Sequence, residues 1–405
     1  MNWEKLFDLL AYNKDFMQSV EPFKQELELN STDTLPFFAE EDFYTEYYPL
    51  CGRDDAEKVY PAIKSVVRIL KTEPLAARYA NMIHYGLFRR EKLLAEVSWA
   101  TTEKIFGDNA GIFNLLIALS ALPFVRRKHI ELGLDESFMY GIARWIGGFA
   151  GVYEKVNHHA GHPLANLYWL RFSINGELFR IGRLEFLPRP WNVDMPHVYK
   201  NRRTNQIVVL CRNNWTFDKN LLRVAPESPE VEFIAELVVA NNHVSGTAVL
   251  SSGMPDFEKK TVLNLDEWEL YVKDGEQCVS LHIPCGGGMT PEAVNRSLKD
   301  AVTFYKKMFD TDVKIFFCTS WLFNPVWQKE LPDSNIARWQ RNSFMTPPLI
   351  ADGISGLFFI YGQRECDPRR SEAETSLHRA FCRIFDRQEK LRAGAMFILA
   401  ENIYL

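Results

Sequence analysis

Apolar residues recur every three or four positions in the first part of this chain and every second position in the rest. VYPAIKSVVRILK, residues 59–71, puts Val59, Ile63, Val66, Val67 and Leu70 on one helical face. The stretches around 76–97, 110–122 and 136–156 repeat that spacing, and Asp135 stands where the last of them takes its N-cap. After about residue 163 the period shortens. LYWLRFSINGELFRIGRLEF (167–186) holds Asn175-Gly176 between two strand-like runs, and WELYVKDGEQCVSLHI (268–283) holds Asp274-Gly275 in the same way. Both dipeptides accept the positive φ angles of a tight turn, so two hairpins are predicted. Further strands are predicted over 206–212, 232–240, 244–250, 313–320, 355–362 and 393–400, with helices over 291–308 and 372–389. The whole reads as an α+β chain: an all-helical N-terminal domain over 1–158, then a domain over 159–405 with a mixed β-sheet and flanking helices.

Composition narrows the function classes. With a net charge of −5 and no basic block, the chain lacks the clustered Lys and Arg that nucleic acid requires, so no nucleic-acid partner is expected. The seven cysteines are scattered and include no CxxC pair, which points to neither a zinc knuckle nor a disulfide framework. MNWEKLFDLL carries acids among its apolar residues, unlike a secretory leader. The longest uncharged run, between Asp108 and Arg126, falls short of the roughly 20 residues that span a bilayer. It reads as a buried core helix, so no membrane partner is expected, and the scattered cysteines fit a reducing cytoplasm. Oligomeric state is not legible.

The densest signal is SLHIPCGGGMTPEAVNRSL, residues 280–298. In a strand, Val279, Leu281 and Ile283 face one way, Ser280 and His282 the other. Pro284 has no N–H to donate and ends the pairing. Cys285, Gly286, Gly287 and Gly288 follow, then Met289, and Thr290 and Pro291 form a helix start, with Glu292 in its first turn. Free backbone amides beside a helix N-terminus make a cradle for phosphate. The alternative is a tight connection and nothing more, since neither GxxxxGK[ST] nor GxGxxG is present. At 157–162, NHHAGH offers His158 and His162 at a metal-pair spacing. No glutamate completes the motif, and no metal is expected.

HIPCGGGMTPEAVNRSLKDAVTFYKKMF, FCTSWLFNP, SNIARWQRNSF and ETSLHRAF, with FRIGRLEF at 179–186, together resemble the bacterial two-domain acyltransferase family. That family joins a helical N-terminal domain to a GNAT-like C-terminal domain, and the motifs cover about 165–405. The resemblance implies that the strand ending at 283 and the strand at 313–320 splay apart around acyl-CoA. Its diphosphate then rests on the loop from Cys285 to Thr290, which makes Ile283, Cys285, Gly286, Gly287, Gly288, Met289 and Thr290 the cofactor-binding candidates. The implied donor is acetyl-CoA or another acyl-CoA and the implied acceptor a small-molecule amine. The loop departs from the family pattern in having no Arg or Gln before its glycines, and Asn324 stands where an acid is expected.

Acyl transfer to an amine needs a group to take the amine proton. His282, on the polar strand face, is the first candidate and Glu185 the second. Cys318 and Ser320 end the other strand of the wedge as candidate nucleophile and polar site group. Three of these have a plain structural alternative: His282 as a half-buried histidine bonded to backbone, Glu185 as a surface or salt-bridged carboxylate, and Cys318 as a small buried hydrophobe. A non-catalytic protein that binds CoA or another phosphorylated ligand is the competing function.

Overall fold

The computed structural model describes residues 1–90, 97–284, 286–361, 366–370 and 375–404. Contacts divide the chain into two compact units, one of Met1–Arg180 with Pro284–Gly286, the other of Ile181–Ile283 with Gly287–Leu405.

The first unit is built of helices. The 59–71 stripe forms α1 (Ala56–Thr72), and its five spaced apolar residues are the ones buried. The apolar run forms α2 (Ala110–Leu119), buried at every residue. The stretch Glu103–Glu131 is apolar and long enough to cross a membrane, but 72% of its most apolar window is buried inside the protein, as expected of a core helix. α3 (Ser137–Asn157) begins where Asp135 accepts the Ser137 N–H at 2.9 Å and ends at His158 in the left-handed conformation. The 76–97 segment is helical over Pro74–His84 and widens into a π-turn over Tyr85–Arg89; residues 91–96 lie outside the described residues.

The hairpin expected over 167–186 does not form. Leu164–Trp169 is a 3-10 helix and Leu170–Ile174 an α-helix. Asn175-Gly176 closes that helix: the Glu177 N–H donates to the Phe172 carbonyl at 2.8 Å and the Gly176 N–H to the Ser173 carbonyl at 3.1 Å, with Gly176 at φ +71°. This is the Schellman pattern. Asn-Gly provides positive φ, and a helix end needs that as much as a hairpin does.

Among the described residues the chain forms fourteen strands, the first of them starting in the last two residues of the first unit's main segment and the rest in the second unit: β1 (Phe179–Ile181), β2 (Leu184–Pro190), β3 (His197–Asn201), β4 (Ile207–Leu210), β5 (Thr216–Phe217), β6 (Phe233–Ile234), β7 (Leu237–Ala240), β8 (His243–Val249), β9 (Pro255–Asn264), β10 (Trp268–Leu270), β11 (Gln277–His282), β12 (Ile315–Ser320), β13 (Phe344–Met345) and β14 (Gly394–Leu399). One sheet runs β1-β2-β11-β12-β14-β13 and a second β10-β3-β4-β8-β7, with β9 paired to β8 and β5 to β6. Flanking helices include α4 (Pro291–Phe309), α5 (Asn335–Arg341) and α6 (Ser376–Asp386).

The second expected hairpin is also absent. β10 pairs with β3 and β11 with β2, so the Asp274-Gly275 turn carries the chain from one sheet to the other. The Arg212 guanidinium holds Asp274 at this crossing, with Nη1 2.8 Å from Oδ2. Residues 355–361 form a helix rather than a strand, since a short apolar run fits either. Gly356 lets that helix lie against the Trp321 ring, where a Cβ would come within 2.7 Å. β9 was not foreseen: charged and apolar residues mix on it, and among the described residues it pairs with β8 alone.

Between the sheets Trp191, Val198, Val209, Cys278, Phe317 and Phe397 form a buried core. Trp191 meets Phe317 and Phe397 edge-on, with centroids 5.8 and 5.7 Å away. Such pairs add roughly 0.5–1.5 kcal/mol each beyond burial. They tie the middle of β12 to β14, and Cys278 brings the start of β11 into the same core.

Candidate functional site

β11 and β12 run parallel but pair at only two positions, Val279 with Phe316 and Ser280 with Phe317. Both strands continue. β11 stays on β2 for six pairs, through His282 opposite Glu185. β12 stays on β14 for six pairs, through Ser320 opposite Gly394. Each strand follows its outer neighbour, and the ladder between them opens after Ser280 and Phe317. Pro284 ends β11 just above this gap, as its missing N–H dictates.

The glycine segment follows. Cys285 lies outside the described residues. Gly286 and Gly287 have φ of +81° and +73°. A Cβ on Gly286 would meet nothing within 4 Å, and one on Gly287 would meet only the Arg183 side chain, at 3.6 Å. Both glycines are exposed, as is Gly288. Thr290 caps α4, its Oγ1 accepting the Ala293 N–H at 3.3 Å. Among the described residues, the amides of Gly287, Gly288, Met289 and Thr290 donate to no protein acceptor. These four amides are left unsatisfied by the described residues.

Arg183, in the β1–β2 turn, went unnoticed in the sequence. Its Nε donates to the Gly288 carbonyl at 3.2 Å and its Nη2 to the Gly287 carbonyl at 3.3 Å. Its own N–H donates to Ser297 Oγ at 2.7 Å, and that hydroxyl donates to the Ala293 carbonyl at 2.9 Å. The only signal was the Gly182-Arg183 pair within FRIGRLEF. Nothing local in that string connects it to residues 104 positions later.

The strand registers sort the candidate side chains by face. Ser280, His282 and, opposite His282, Glu185 lie on one face. Cys318 and Ser320 lie on the other, because Ser280 pairs with Phe317 and the alternation runs from there. Glu185 is buried, and His282 is partly buried. Burial, with the nearby Arg189 charge, brings the His282 pKa down to about 4, so the ring is neutral near pH 7. Its Nε2 lies 3.4 Å from Ser280 Oγ. Burial pushes the Cys318 thiol up to about 12, which keeps it protonated. Ser320 Oγ accepts the Leu322 N–H at 3.2 Å and caps a 3-10 turn.

Beside the loop, Met289, Pro291 and Val294 at the start of α4, with Asn335 and Trp339 of α5 and Ile398, border a cavity of about 330 Å³. Asn324, expected to be an acid, ties the chain after β12: its Nδ2 donates to the Arg392 carbonyl at 2.8 Å and its Oδ1 accepts the Val326 N–H at 2.9 Å. The two histidines at 158 and 162 do not converge. His158 is an exposed helix cap, and His162 is buried with Nδ1 3.0 Å from the Pro163 carbonyl. Among the described residues, no cluster of three or more His, Cys, Asp or Glu is arranged for a metal.

No curated protein matches the chain. Among solved structures, an acyltransferase in complex with decanoyl-CoA and teicoplanin superposes with a TM-score of 0.65 at 16% identity, over 99% of this chain and all of that one. An acyltransferase mutant in complex with octanoyl-CoA gives 0.64 at 17%, over 98% and 99%. An acyltransferase in complex with decanoyl-CoA gives 0.62 at 17%, again over 98% and 99%. At such identities the likeness is one of fold, and it extends from end to end. Residues 178–397, more than half of the 405, match the GNAT-like C-terminal domain, and the chain belongs to that family.

Proposed function

We propose that the protein is an N-acyltransferase that moves an acyl group from acyl-CoA directly to an amine. The observation that carries this reading is the parting of β11 from β12 after two pairs, with unpaired amides and a helix start just beyond β11. An unpaired strand edge has backbone donors and acceptors for the amide groups of a pantetheine arm. The exposed loop amides and the positive end of α4 suit a diphosphate. Membership of the GNAT-like family supports the reading, as do the acyl-CoA ligands of the similar acyltransferases.

His282 is the base in this mechanism. Its low proton affinity keeps a lone pair available at neutral pH. The amine nitrogen attacks the thioester carbonyl and becomes acidic as the C–N bond forms, so a weak base is enough to take its proton. The C–S bond breaks, and the imidazolium returns that proton to the departing thiolate. Cross-strand neighbours lie with Cβ atoms about 5 Å apart, so Glu185 is placed to stabilise the imidazolium. Cys318 and Ser320 lie on the far face and take no part, which favours a ternary complex over a covalent enzyme intermediate.

Acetyl-, octanoyl- and decanoyl-CoA, assayed with a panel of amines that includes teicoplanin and followed by thiol release, test the proposal. Amine-dependent release with intersecting double-reciprocal plots is expected. Thermal stabilisation by CoA without thiol release would instead identify a non-catalytic CoA-binding protein. No stabilisation at millimolar CoA would end both readings.

A further inference from the structure

The loop carries no cation of its own, yet its glycine carbonyls are held by one. We infer that Arg183 is the positioning residue that turns the loop amides toward the donor's diphosphate; the inference rests on the acyl-CoA reading above. A trans peptide places its N–H opposite its C=O. The Gly287 carbonyl belongs to the peptide whose N–H is that of Gly288, and the Gly288 carbonyl to the peptide whose N–H is that of Met289. Arg183 binds both carbonyls, at 3.3 and 3.2 Å. Both N–H groups therefore point away from the guanidinium, and among the described residues neither has a protein acceptor. Without this clasp, a run of three glycines has the widest choice of backbone conformations any sequence offers.

The clasp is itself anchored to the helix that starts the site. Arg183 N–H donates to Ser297 Oγ at 2.7 Å, and Ser297 spends its own proton on the Ala293 carbonyl in the preceding turn of α4. Gly182 makes that approach possible: its φ is +60°, and a Cβ there would come within 2.6 Å of Ser297 Oγ. The turn, the helix start and the loop are thus one hydrogen-bonded assembly, and the side chain that closes it comes from a different part of the chain. A single ammonium cannot repeat the two-carbonyl grip of a planar guanidinium, so arginine is the residue required.

The test compares two donors in Arg183→Ala: acyl-CoA, and the same acyl group on pantetheine, which has no diphosphate. The expected result is a KM for acyl-CoA raised about tenfold, equivalent to about 1.4 kcal/mol. KM for acyl-pantetheine changes less than twofold, and Arg183→Lys restores only part of the loss. Equal changes for both donors, or none for either, would overturn the inference while leaving the transferase reading intact. A wild-type protein that does not prefer acyl-CoA over acyl-pantetheine would remove the diphosphate cradle itself. If Arg183→Ala fails to fold, Arg183→Met, which keeps the stem over Gly287, carries the same comparison.

Discussion

β12 has two neighbours and treats them differently. It pairs with β14 at six positions along its whole length, and with β11 at two. All three strands are rich in apolar residues, so composition does not explain the contrast. The cause lies at the strand ends. On the β14 side, Gly394 sits so close to the Phe323 backbone carbonyl that any Cβ would collide with it, and the edge is sealed. On the β11 side a proline and an exposed glycine loop follow, and nothing is built to close the ladder. Glycine does opposite work at the two edges: at 394 it permits dense packing, at 286–288 it leaves backbone uncovered.

The contrast predicts which changes damage function and which damage the fold. The largest effect is expected from His282→Ala on the open side, with kcat reduced on the order of 100-fold or more while CoA affinity holds. With an aromatic amine acceptor, whose nitrogen stays neutral over this range, turnover in the unmodified protein should stay level from pH 8 down to about 5 and fall as His282 gains its proton near pH 4. A full rate in His282→Ala at every pH would remove it from the mechanism. Gly394→Ala, on the sealed side, should cost about 3 kcal/mol of stability by driving backbone against backbone, read from urea midpoints. Gly287→Val should do the reverse. The φ of +73° resists a β-branched residue, so the exposed loop moves to another backbone conformation; stability falls by only about 1 kcal/mol, while CoA binding weakens about 30-fold in calorimetry.

Two smaller effects sharpen the comparison. Burial lowers the pKa of His84 to about 3 and of His129, His162 and His282 to about 4. These values lie below the unfolded value near 6.5. The unfolded chain therefore takes up protons first as pH drops, so stability present at pH 7 is lost between about 6.5 and 4, by up to roughly 1.4 kcal/mol per pH unit for each such histidine. His129→Phe, in a site lined by Phe138 and Phe179, should flatten that slope. A slope unchanged in this variant would show that other groups drive the acid loss. Cys318→Ala, on the face away from His282, should cost about 1 kcal/mol of stability and change turnover less than twofold. A burst of acyl-enzyme abolished by this variant would instead make Cys318 a nucleophile.

Much of this was legible in the residues themselves. The 3.6-residue stripe over 59–71 gave α1, and the strand–Pro–Gly–Thr-Pro order over 280–291 gave the end of β11, the open loop and the cap of α4. These are local signals, set by backbone sterics and by which groups lack an N–H. The two Asn-Gly and Asp-Gly turns misled because positive φ serves helix ends and sheet crossings as readily as hairpins. The run at 355–361 misled because seven apolar-rich residues have no period long enough to separate helix from strand.

Sequence alone determined where backbone pairing must stop, since proline lacks an N–H in any fold, and where backbone could stay uncovered, since glycine permits that without requiring it. Tertiary structure decided which strands those residues stand between, that His282 faces Glu185 and turns away from Cys318, and that Arg183 reaches the loop across 104 positions of chain. Register and long-range hydrogen bonds depend on how sheets and helices pack, and no local pattern of residues encodes that.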